Sequence, residues 1–251
     1  MSEQVVVRAA IAPMHAEARV SSVQVSQELA GHAVEVLASE GDWLRVQSAD
    51  GYEGWMHRGY VQSAHDARLT FASRRLSLGC VVRTPAGTFA LPLGAWISAD
   101  ATVVSGEAIA EEDRPRRFPR DAKAICATAV SAFAGTPYQW GGISPWGADC
   151  SGLVQMTFWL HGVLMPRDGW QQAETGRDAD SELSGFQPAD LLFFTERADR
   201  RITHVGIALG ASRMVHLALG RGGYAVETLT ATDDPYVGAL MTRFVSARRV
   251  L

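Results

Sequence analysis

One cysteine of this sequence stands where a helix is predicted to begin, which is a position that favours nucleophilic chemistry. Cys150 lies in the segment GADCSGLVQMTFWLHG, directly after Asp149, a good helix N-cap residue. Apolar positions then recur at helical spacing, at Leu153, Val154, Thr157 and Leu160. The unpaired N–H groups and the dipole at a helix N-terminus favour the thiolate, the nucleophilic form of cysteine. The segment fits a buried cysteine that only starts a helix equally well, and by itself it leaves both roles open.

The other two cysteines have surroundings typical of packing residues. Cys80 lies in the strand-like run SLGCVVRT, and Cys126 in the helical run AKAICATAVSAF. We interpret both as small buried apolar side chains. Three cysteines at wide, irregular spacing predict neither a disulfide framework nor a zinc site.

Two histidines downstream can provide the base that a cysteine nucleophile needs. The runs RITHVGIALG and RMVHLAL alternate as strands do and carry His204 and His216. If residues 210–212 turn a hairpin, residues whose numbers sum to about 420 lie opposite each other, and 204 and 216 meet that condition. The two imidazoles would then be neighbours on one face of the sheet. We therefore predict Cys150 as nucleophile, His204 as general base and His216 as the group that orients the base.

A zinc site is the alternative chemistry for the same three side chains. Cys150, His204 and His216 could together ligate a metal ion. The position of Cys150 at a helix start favours a thiolate nucleophile instead, so the sequence predicts no metal and no other cofactor.

The elements that must position these residues are predicted in the second half of the chain. DAKAICATAVSAFAG has helical periodicity, with Asp121 as N-cap and Gly135 as the end, and a second helix is predicted from about 150 to 161. The strand-like runs that follow are DLLFFTE, ITHVGIALG, RMVHLAL and GALMTRFVSARR. Helices followed by antiparallel strands predict an α+β domain.

The first 65 residues alternate short β-type runs with turn signals, which predicts a small antiparallel barrel. The runs are VVVRAAI, HAVEVLA, WLRVQS and YEGWMH, and Asp50-Gly51 is a strong hairpin signal. The segment EGDWLRVQSADGYEGWMHRGYV resembles the bacterial SH3-like domains that accompany cell-wall enzymes.

The chain is predicted to have three parts. Residues 1–65 form the barrel, residues 66–115 a second, degenerate β module of the same kind with a linker, and residues 116–251 the α+β domain. The linker is predicted at EEDRPRRFPR, which is dense in charge and contains two prolines.

Composition excludes several classes of partner. The 251 residues carry a formal net charge of −4 without a long run of Lys or Arg, so we expect no nucleic-acid partner. No apolar run is long enough to span a bilayer, and MSEQVVVRAA does not have the pattern of a signal peptide. We therefore expect no membrane partner and a cytoplasmic protein, although a chain trimmed of its leader would look the same.

Five motifs in the second half share their order and spacing with one enzyme family. They are TPYQWGG…GADCSG, MPRDGWQQ, PADLLFF, ITHVGIAL and MVHLA. Together they resemble the NlpC family of cell-wall cysteine peptidases, over roughly residues 120–250. The resemblance implies a papain-like fold in which Cys150 is the nucleophile, His204 the base and His216 the orienting group.

The resemblance also implies substrate contacts around the nucleophile. They are Tyr138, Asp149, Ser151, Arg167, Asp168 and Thr203. A carboxylate such as Asp149 or Asp168 can bind an ammonium, Arg167 can pair with a carboxylate, and Tyr138 can donate a hydrogen bond near the oxyanion. The sequence departs from the family pattern at Gly169, where a Ser often follows Arg-Asp, and at Thr203, where some relatives carry another His.

The substrate that the resemblance implies is a peptidoglycan-derived peptide, cut between γ-linked D-glutamate and a diamino acid. Relatives with an SH3-like domain in front often accept peptides with a free N-terminal L-Ala, such as L-Ala-γ-D-Glu-diamino acid, and serve in murein recycling. Glu17 and Tyr52 are the residues predicted to bind that free amine.

Two other functions are compatible with the same fold. One is a wall-binding protein whose SH3-like modules carry the function, and the presence of all three candidate catalytic residues speaks against it. The other is an acyl- or amide-transferring enzyme, in which an amine or alcohol captures the thioester.

Overall fold

The computed structural model describes residues 3–64, 74–180 and 182–251, and the chain divides into two compact units. The first contains residues 1–117 with Trp140–Gly142, and the second contains Phe118–Gln139 with Ile143–Leu251. The strands of the first unit are β1 Glu3–Val7, β2 Ile11–His15, β3 Gln24–Leu29, β4 Ala33–Glu40, β5 Trp43–Gln47, β6 Glu53–His57, β7 Val61–Ser63, β8 Arg75–Thr84, β9 Gly87–Leu91, β10 Trp96–Ile97 and β11 Thr102–Ala110. A short helix, α1 Arg114–Arg117, ends this unit.

The second unit contains both helices and strands. Its helices are α2 Ala122–Ala132, α3 Cys150–Leu160, α4 Gly169–Gln172 and α5 Pro235–Thr242. Its strands are β12 Ile143–Ser144, β13 Gly147–Ala148, β14 Arg177–Asp178, β15 Leu191–Phe194, β16 His204–Gly210, β17 Arg213–Ala218, β18 Gly223–Thr228 and β19 Phe244–Arg249.

The N-terminal strands close around an apolar interior. They form one seven-stranded sheet in the order β3-β2-β6-β5-β4-β1-β7. Alternate side chains of these strands make up the core, which consists of Val5, Val7, Ala12, Met14, Val34, Leu44, Val46 and Met56. The predicted hairpin at Asp50-Gly51 is confirmed, because Gln47 pairs with Glu53 and Gly51 has a φ of 84°. Strand β3 was not predicted, since QVSQEL offers little apolar alternation.

A second antiparallel sheet completes the first unit. Strand β8 pairs with β11 along one side, and with β10 and β9 at successive parts of its other side. This arrangement agrees with the predicted β character of residues 76–110, whereas its likeness to an SH3-like module stays a prediction. The predicted boundary between residues 65 and 66 lies outside the described residues.

The charged segment predicted as a linker is partly helical. Residues 111–113 form a 3₁₀ turn that leads into α1. Along the chain, the boundary between the two compact units falls between Arg117 and Phe118. Helix α2 then begins as predicted, with the Asp121 carboxylate accepting from the backbone N–H groups of Lys123 and Ala124.

A six-stranded antiparallel sheet forms the second half of the α+β unit. Its order is β14-β19-β15-β16-β17-β18. Helix α3 packs against β16 and β17, and all four of its predicted apolar positions are fully buried. The helix is therefore fixed with its first residue beside the two strands that carry the candidate histidines.

The predicted C-terminal strand is wrong in its first half. The residues GALMT belong to α5, which begins at Pro235 and is capped by the Asp234 carboxylate, and only Phe244–Arg249 forms a strand. Pro235 at the first helical position and an acceptor before it are strong helix-start signals. Strand β18 was not predicted either. None of the helices in the described ranges is long and apolar enough to cross a bilayer.

Gly223 is a position where a side chain would disturb the loop that carries Tyr138. Its φ is 147°, and a Cβ there would lie 2.2 Å from the Thr136 carbonyl oxygen and 2.8 Å from the Tyr138 nitrogen. We expect Gly223→Ala to lower the free energy of unfolding by about 3 kcal/mol or more, because backbone strain and a backbone clash add. Gly222→Ala is the matched control, since its φ is 75° but its Cβ would meet open space, and it should cost about 1–2 kcal/mol. Urea unfolding of both variants measures the difference, and equal losses would contradict this explanation.

Candidate active site

The candidate nucleophile is the first residue of α3, as predicted from the sequence. Asp149 caps the helix by accepting from the backbone N–H of Gly152 at 2.8 Å. Cys150 is 9% exposed, and its sulfur lies within hydrogen-bonding reach of the backbone N–H groups of Val205 and Ser151. Val205 directly follows His204, so strand β16 brings the predicted base to the predicted nucleophile.

The two candidate histidines are in direct contact. Nε2 of His204 lies 2.8 Å from Nδ1 of His216, and the rings meet edge to face at a centroid distance of 5.0 Å. His216 is completely buried, so this contact fixes one nitrogen of an imidazole that has no access to solvent. The pairing of the base with a buried orienting group is the arrangement that the sequence predicted.

The strand register behind this contact differs from the predicted one. Ile207 pairs with Val215 and Ala208 with Met214, so paired numbers sum to 422 rather than 420. The two histidines are therefore diagonal neighbours instead of directly opposite ones. The turn at Ala211 and Ser212, both with positive φ, pairs Gly210 with Arg213, whose numbers sum to 423, and a bulge between Ala208 and Gly210 then brings the sum to 422. Continuing the register places Gly206 opposite His216, and the space beside Gly206 is filled by the side chain of Met214.

Burial shifts the pKa values of both candidate groups in the direction of their neutral forms. It raises the pKa of the Cys150 thiol to about 12, and the Asp149 carboxylate adds to this shift. Burial also lowers the pKa of His204 to about 3, with His216 contributing in the same direction. Both shifts act against a preformed thiolate–imidazolium pair, because each disfavours the charged form.

Three residues behind His216 complete the site and were not predicted. Glu227 on β18 has its Oε1 3.5 Å from Nε2 of His216. Arg221 binds both oxygens of Glu227, at 2.7 and 3.1 Å, and its guanidinium carbon lies 4.4 Å from the centre of the Tyr236 ring. The alternation GYAVET could have indicated Glu227, since its run follows the His216 strand after a short turn.

A buried ion pair supports the start of α3. Arg167 is 2% exposed and binds both carboxylate oxygens of Asp149, at 2.7 and 3.1 Å. The same guanidinium donates to Oγ of Ser151 at 2.9 Å. Two charges in a dry environment are tolerated because each is paired and hydrogen-bonded. Arg167 therefore neutralises Asp149, and its predicted pairing with a substrate carboxylate stays a prediction.

The remaining predicted contacts in this unit differ in accessibility. Tyr138 is half-buried, and burial raises the pKa of its phenol, with Cys150 and Asp149 adding to the shift. Asp168 is half-buried and accepts from the indole N–H of Trp170 at 3.1 Å. Thr203 is exposed, and its backbone N–H donates to the carbonyl of Phe194. These positions are compatible with substrate contact, which stays a prediction.

The two residues predicted to bind a free amine lie in the other unit. The Glu17 carboxylate is 62% exposed and accepts from Arg19 at 2.8 Å. Tyr52 is half-buried and packs against the apolar core of the barrel. Within residues 3–64, 74–180 and 182–251, no group of three or more His, Cys, Asp or Glu is arranged to hold a metal ion.

The low pKa of His204 predicts a pH-dependent stability. A histidine binds a proton at its ordinary pKa of 6.5 in the unfolded chain but only near 3 in the folded one. The contribution of neutral His204 to the free energy of unfolding is therefore fully present above pH 6.5. It is lost as the pH falls from 6.5 to 3. We expect the unfolding free energy to fall over this range in the wild type and less steeply in His204→Gln. Cys150→Ala, which removes the neighbouring thiol only, should keep the wild-type slope, and an equal slope in His204→Gln would refute the assignment.

Comparison with known families agrees with this geometry. Residues 135–242 match the NlpC/P60 family, and residues 12–62 match the bacterial SH3 domain. A crystal structure of an NlpC/P60 family protein from Bacillus cereus ATCC 10987 covers 99% of this chain and 99% of its own, with a TM-score of 0.78 and 18% identity. That likeness shows the fold: an all-β SH3-like region followed by a papain-like α+β domain, as predicted.

Curated relatives extend over most of the chain. Gamma-D-glutamyl-L-lysine dipeptidyl-peptidase of Bacillus subtilis is 30% identical over 84% of this chain and 77% of its own length. Dipeptidyl-peptidase 6 of Lysinibacillus sphaericus is 29% identical over 94% of this chain and 96% of its own length. The shared sequence includes both the SH3-like region and the unit that carries Cys150, His204 and His216. The chain therefore belongs to the NlpC/P60 family.

Proposed function

We propose that this protein is a cysteine peptidase that hydrolyses the γ-D-glutamyl–diamino acid bond of peptidoglycan-derived peptides. The relatives named gamma-D-glutamyl-L-lysine dipeptidyl-peptidase support both the reaction and the type of bond. The observation that carries the proposal is the 2.8 Å contact between His204 and His216 beside the helix start of Cys150. It supplies a nucleophile, a base and a group that orients the base.

The first step is attack of sulfur on the γ-carbonyl carbon. Because Nε2 of His204 is engaged with His216, its Nδ1 is the nitrogen left to accept the thiol proton. The neutral thiol donates its proton to the neutral imidazole as the C–S bond forms, so the net charge of the site does not change. The unpaired N–H groups at the start of α3 stabilise the developing thiolate and oxyanion.

The second step expels the diamino acid and restores the enzyme. His204, now protonated, donates its proton to the leaving amine, and water then hydrolyses the thioester with His204 again as base. Tyr138 is our candidate for an additional oxyanion donor. Burial raises the pKa of its phenol, so the hydroxyl keeps its proton at neutral pH.

Substrate contacts follow from which charges remain accessible. Arg167 neutralises Asp149 inside the protein, so Asp168 is the more accessible carboxylate for a substrate ammonium. Ser151 and Thr203 complete our proposed set of contacts near the nucleophile. We also propose that Glu17 and Tyr52 bind the free N-terminal amine of L-Ala-γ-D-Glu-diamino acid. A preference for such short peptides would suit murein recycling in the cytoplasm.

The central test is cleavage of a defined tripeptide. L-Ala-γ-D-Glu-diaminopimelate and the L-lysine analogue are incubated with the protein, and products are identified by mass spectrometry. We expect L-Ala-γ-D-Glu and the free diamino acid, with kcat/KM lowered by at least about 10³-fold in Cys150→Ala because the nucleophile is lost. Cys126→Ala removes a buried thiol of the same unit whose Sγ donates to the Ala208 carbonyl, and it should retain activity.

Two outcomes of this test would contradict the proposal. One is activity that persists in Cys150→Ala. The other is transfer of the acyl group to an added amine in preference to water, which would instead support a transferase. Parallel incubation with intact wall distinguishes a recycling enzyme from a wall hydrolase, because only the latter releases fragments from polymer.

Recognition of a free N-terminus predicts a charge-dependent KM. Glu17→Gln and Tyr52→Phe should each raise KM for the free tripeptide by about tenfold, the effect of one lost charge-assisted hydrogen bond. N-acetylated tripeptide should be a poor substrate for the wild type, and these variants should discriminate less against it. Glu107→Gln, an exposed carboxylate on β11, is the control and should leave KM unchanged. Unchanged KM in both Glu17→Gln and Tyr52→Phe would remove these residues from the site.

A further inference from the structure

One buried nitrogen of His216 has a role that the mechanism so far leaves open. His216 is completely buried, and its Nδ1 is engaged by His204. Its Nε2 has no hydrogen-bond partner at ordinary distance in the part of the chain that the structure describes. The nearest charged atom is Oε1 of Glu227, at 3.5 Å. That separation is long for a hydrogen bond, but such contacts often tighten when substrate binds.

Glu227 is held as a fixed anion. Arg221 binds its two oxygens at 2.7 and 3.1 Å and also donates to Asp234 at 3.1 Å. The ring of Tyr236 lies 4.4 Å from the Arg221 guanidinium carbon and 6.0 Å from the His216 ring. The carboxylate of Glu227 is only 8% exposed, so it cannot swing into solvent without breaking these contacts.

The sheet register aims Glu227 at His216. Strand β17 pairs with β18 so that His216 faces Ala225 and Met214 faces Glu227. Glu227 is thus a diagonal neighbour of His216 on the same face of the sheet. His204 is the other diagonal neighbour of His216, from strand β16 on the opposite side of β17. The imidazole of His216 therefore lies between the base and a carboxylate, one at each ring nitrogen.

Two tautomers of the histidine pair are possible, and they differ in catalytic competence. In the first, Nε2–H of His204 donates to Nδ1 of His216, whose own Nε2–H faces Glu227. Nδ1 of His204 then carries a lone pair and can accept the Cys150 proton. In the second, Nδ1–H of His216 donates to Nε2 of His204, which leaves a proton on Nδ1 of His204. The base is then blocked, and a bare nitrogen of His216 faces a carboxylate oxygen.

We propose that Glu227 is a positioning residue that selects the first tautomer and so keeps His204 competent as a base. The Glu227 carboxylate has no hydrogen to donate, so it repels the bare Nε2 that His216 has in the second tautomer. In the first tautomer the same carboxylate attracts the Nε2–H of His216. Contact with His216 also lowers the pKa of Glu227 to about 2, which keeps the carboxylate ionised. The inference rests on the proposed peptidase function for its kinetic consequence, but the tautomer itself can be observed without substrate.

The direct test is the protonation state of the wild-type histidine ring nitrogens. Two-bond ¹H–¹⁵N correlation spectra at pH 7.5 distinguish protonated from bare nitrogens, with assignments from His204→Gln and His216→Gln. We expect a proton on Nε2 and a bare Nδ1 in both His204 and His216. A proton on Nδ1 of His216 in the folded wild type would overturn the proposal, and no Glu227 variant is needed to see it.

Substitution of Glu227 separates the tautomer from simple packing. Glu227→Leu should move part of the His216 proton to Nδ1 and lower kcat by about 10- to 100-fold, with KM within about twofold. Glu227→Gln should restore most of kcat, because its amide oxygen can still accept from Nε2–H. The control is Asp190→Asn, which disrupts another buried carboxylate–arginine pair of the same sheet, bonded to Arg249 at 2.8 Å. It should change neither kcat nor the histidine spectra.

The outcomes separate this inference from the proposed function. If Glu227→Leu is folded and shows wild-type tautomers and kcat, Glu227 has no positioning role. If the wild type leaves the tripeptide intact but shows the expected tautomers, the peptidase assignment fails and the inference stands. In that case the rate of Cys150 alkylation by iodoacetamide replaces kcat, and Glu227→Leu should slow it relative to wild type and Asp190→Asn.

Discussion

The contact between the imidazoles of His204 and His216 is the interaction on which the site depends. It brings a partly accessible base against a fully buried partner, and only a particular strand geometry allows it. A bulge and a turn with two positive φ values set the β16–β17 register so that the histidines are diagonal. Helix α3 packs on this sheet so that its N-terminus places the sulfur of Cys150 beside the backbone N–H of Val205.

Arginine compensates the buried carboxylates of this unit. Asp149 is paired with Arg167, Glu227 with Arg221, and Asp190 with Arg249. In each pair the guanidinium binds both carboxylate oxygens, a fork geometry that lysine cannot reproduce. Removing one partner would leave an uncompensated charge in a dry environment, which is far more costly than replacing the whole pair. The charges near the reacting atoms are thus fixed in place as well as balanced.

Much of the catalytic unit could be predicted because its signals are local. The cap at Asp149, the apolar stripe of α3 and the alternation around His204 each depend on neighbouring residues in the chain. The predicted register is off by two because the turn is centred on Ala211-Ser212 and pairs Gly210 with Arg213, and the adjacent bulge changes the sum of paired numbers by only one. The predicted strand over GALMT is wrong because an apolar run fits either a helix or a strand, whereas Asp234-Pro235 starts a helix here. The alternation GYAVET could have indicated Glu227, but Arg221 could not be assigned to the site from sequence, since its place there follows from its ion pair with Glu227.

The placement of the catalytic groups along the chain has a consequence for how activity appears during folding. His204 and His216 belong to one hairpin, which can form early because the contacts within it are local. Cys150 comes from a helix far earlier in the sequence and reaches the base only when α3 docks on the finished sheet. A partly folded chain would therefore possess its base without its nucleophile. The three groups therefore come together only at the stage when the tertiary structure of this unit is complete.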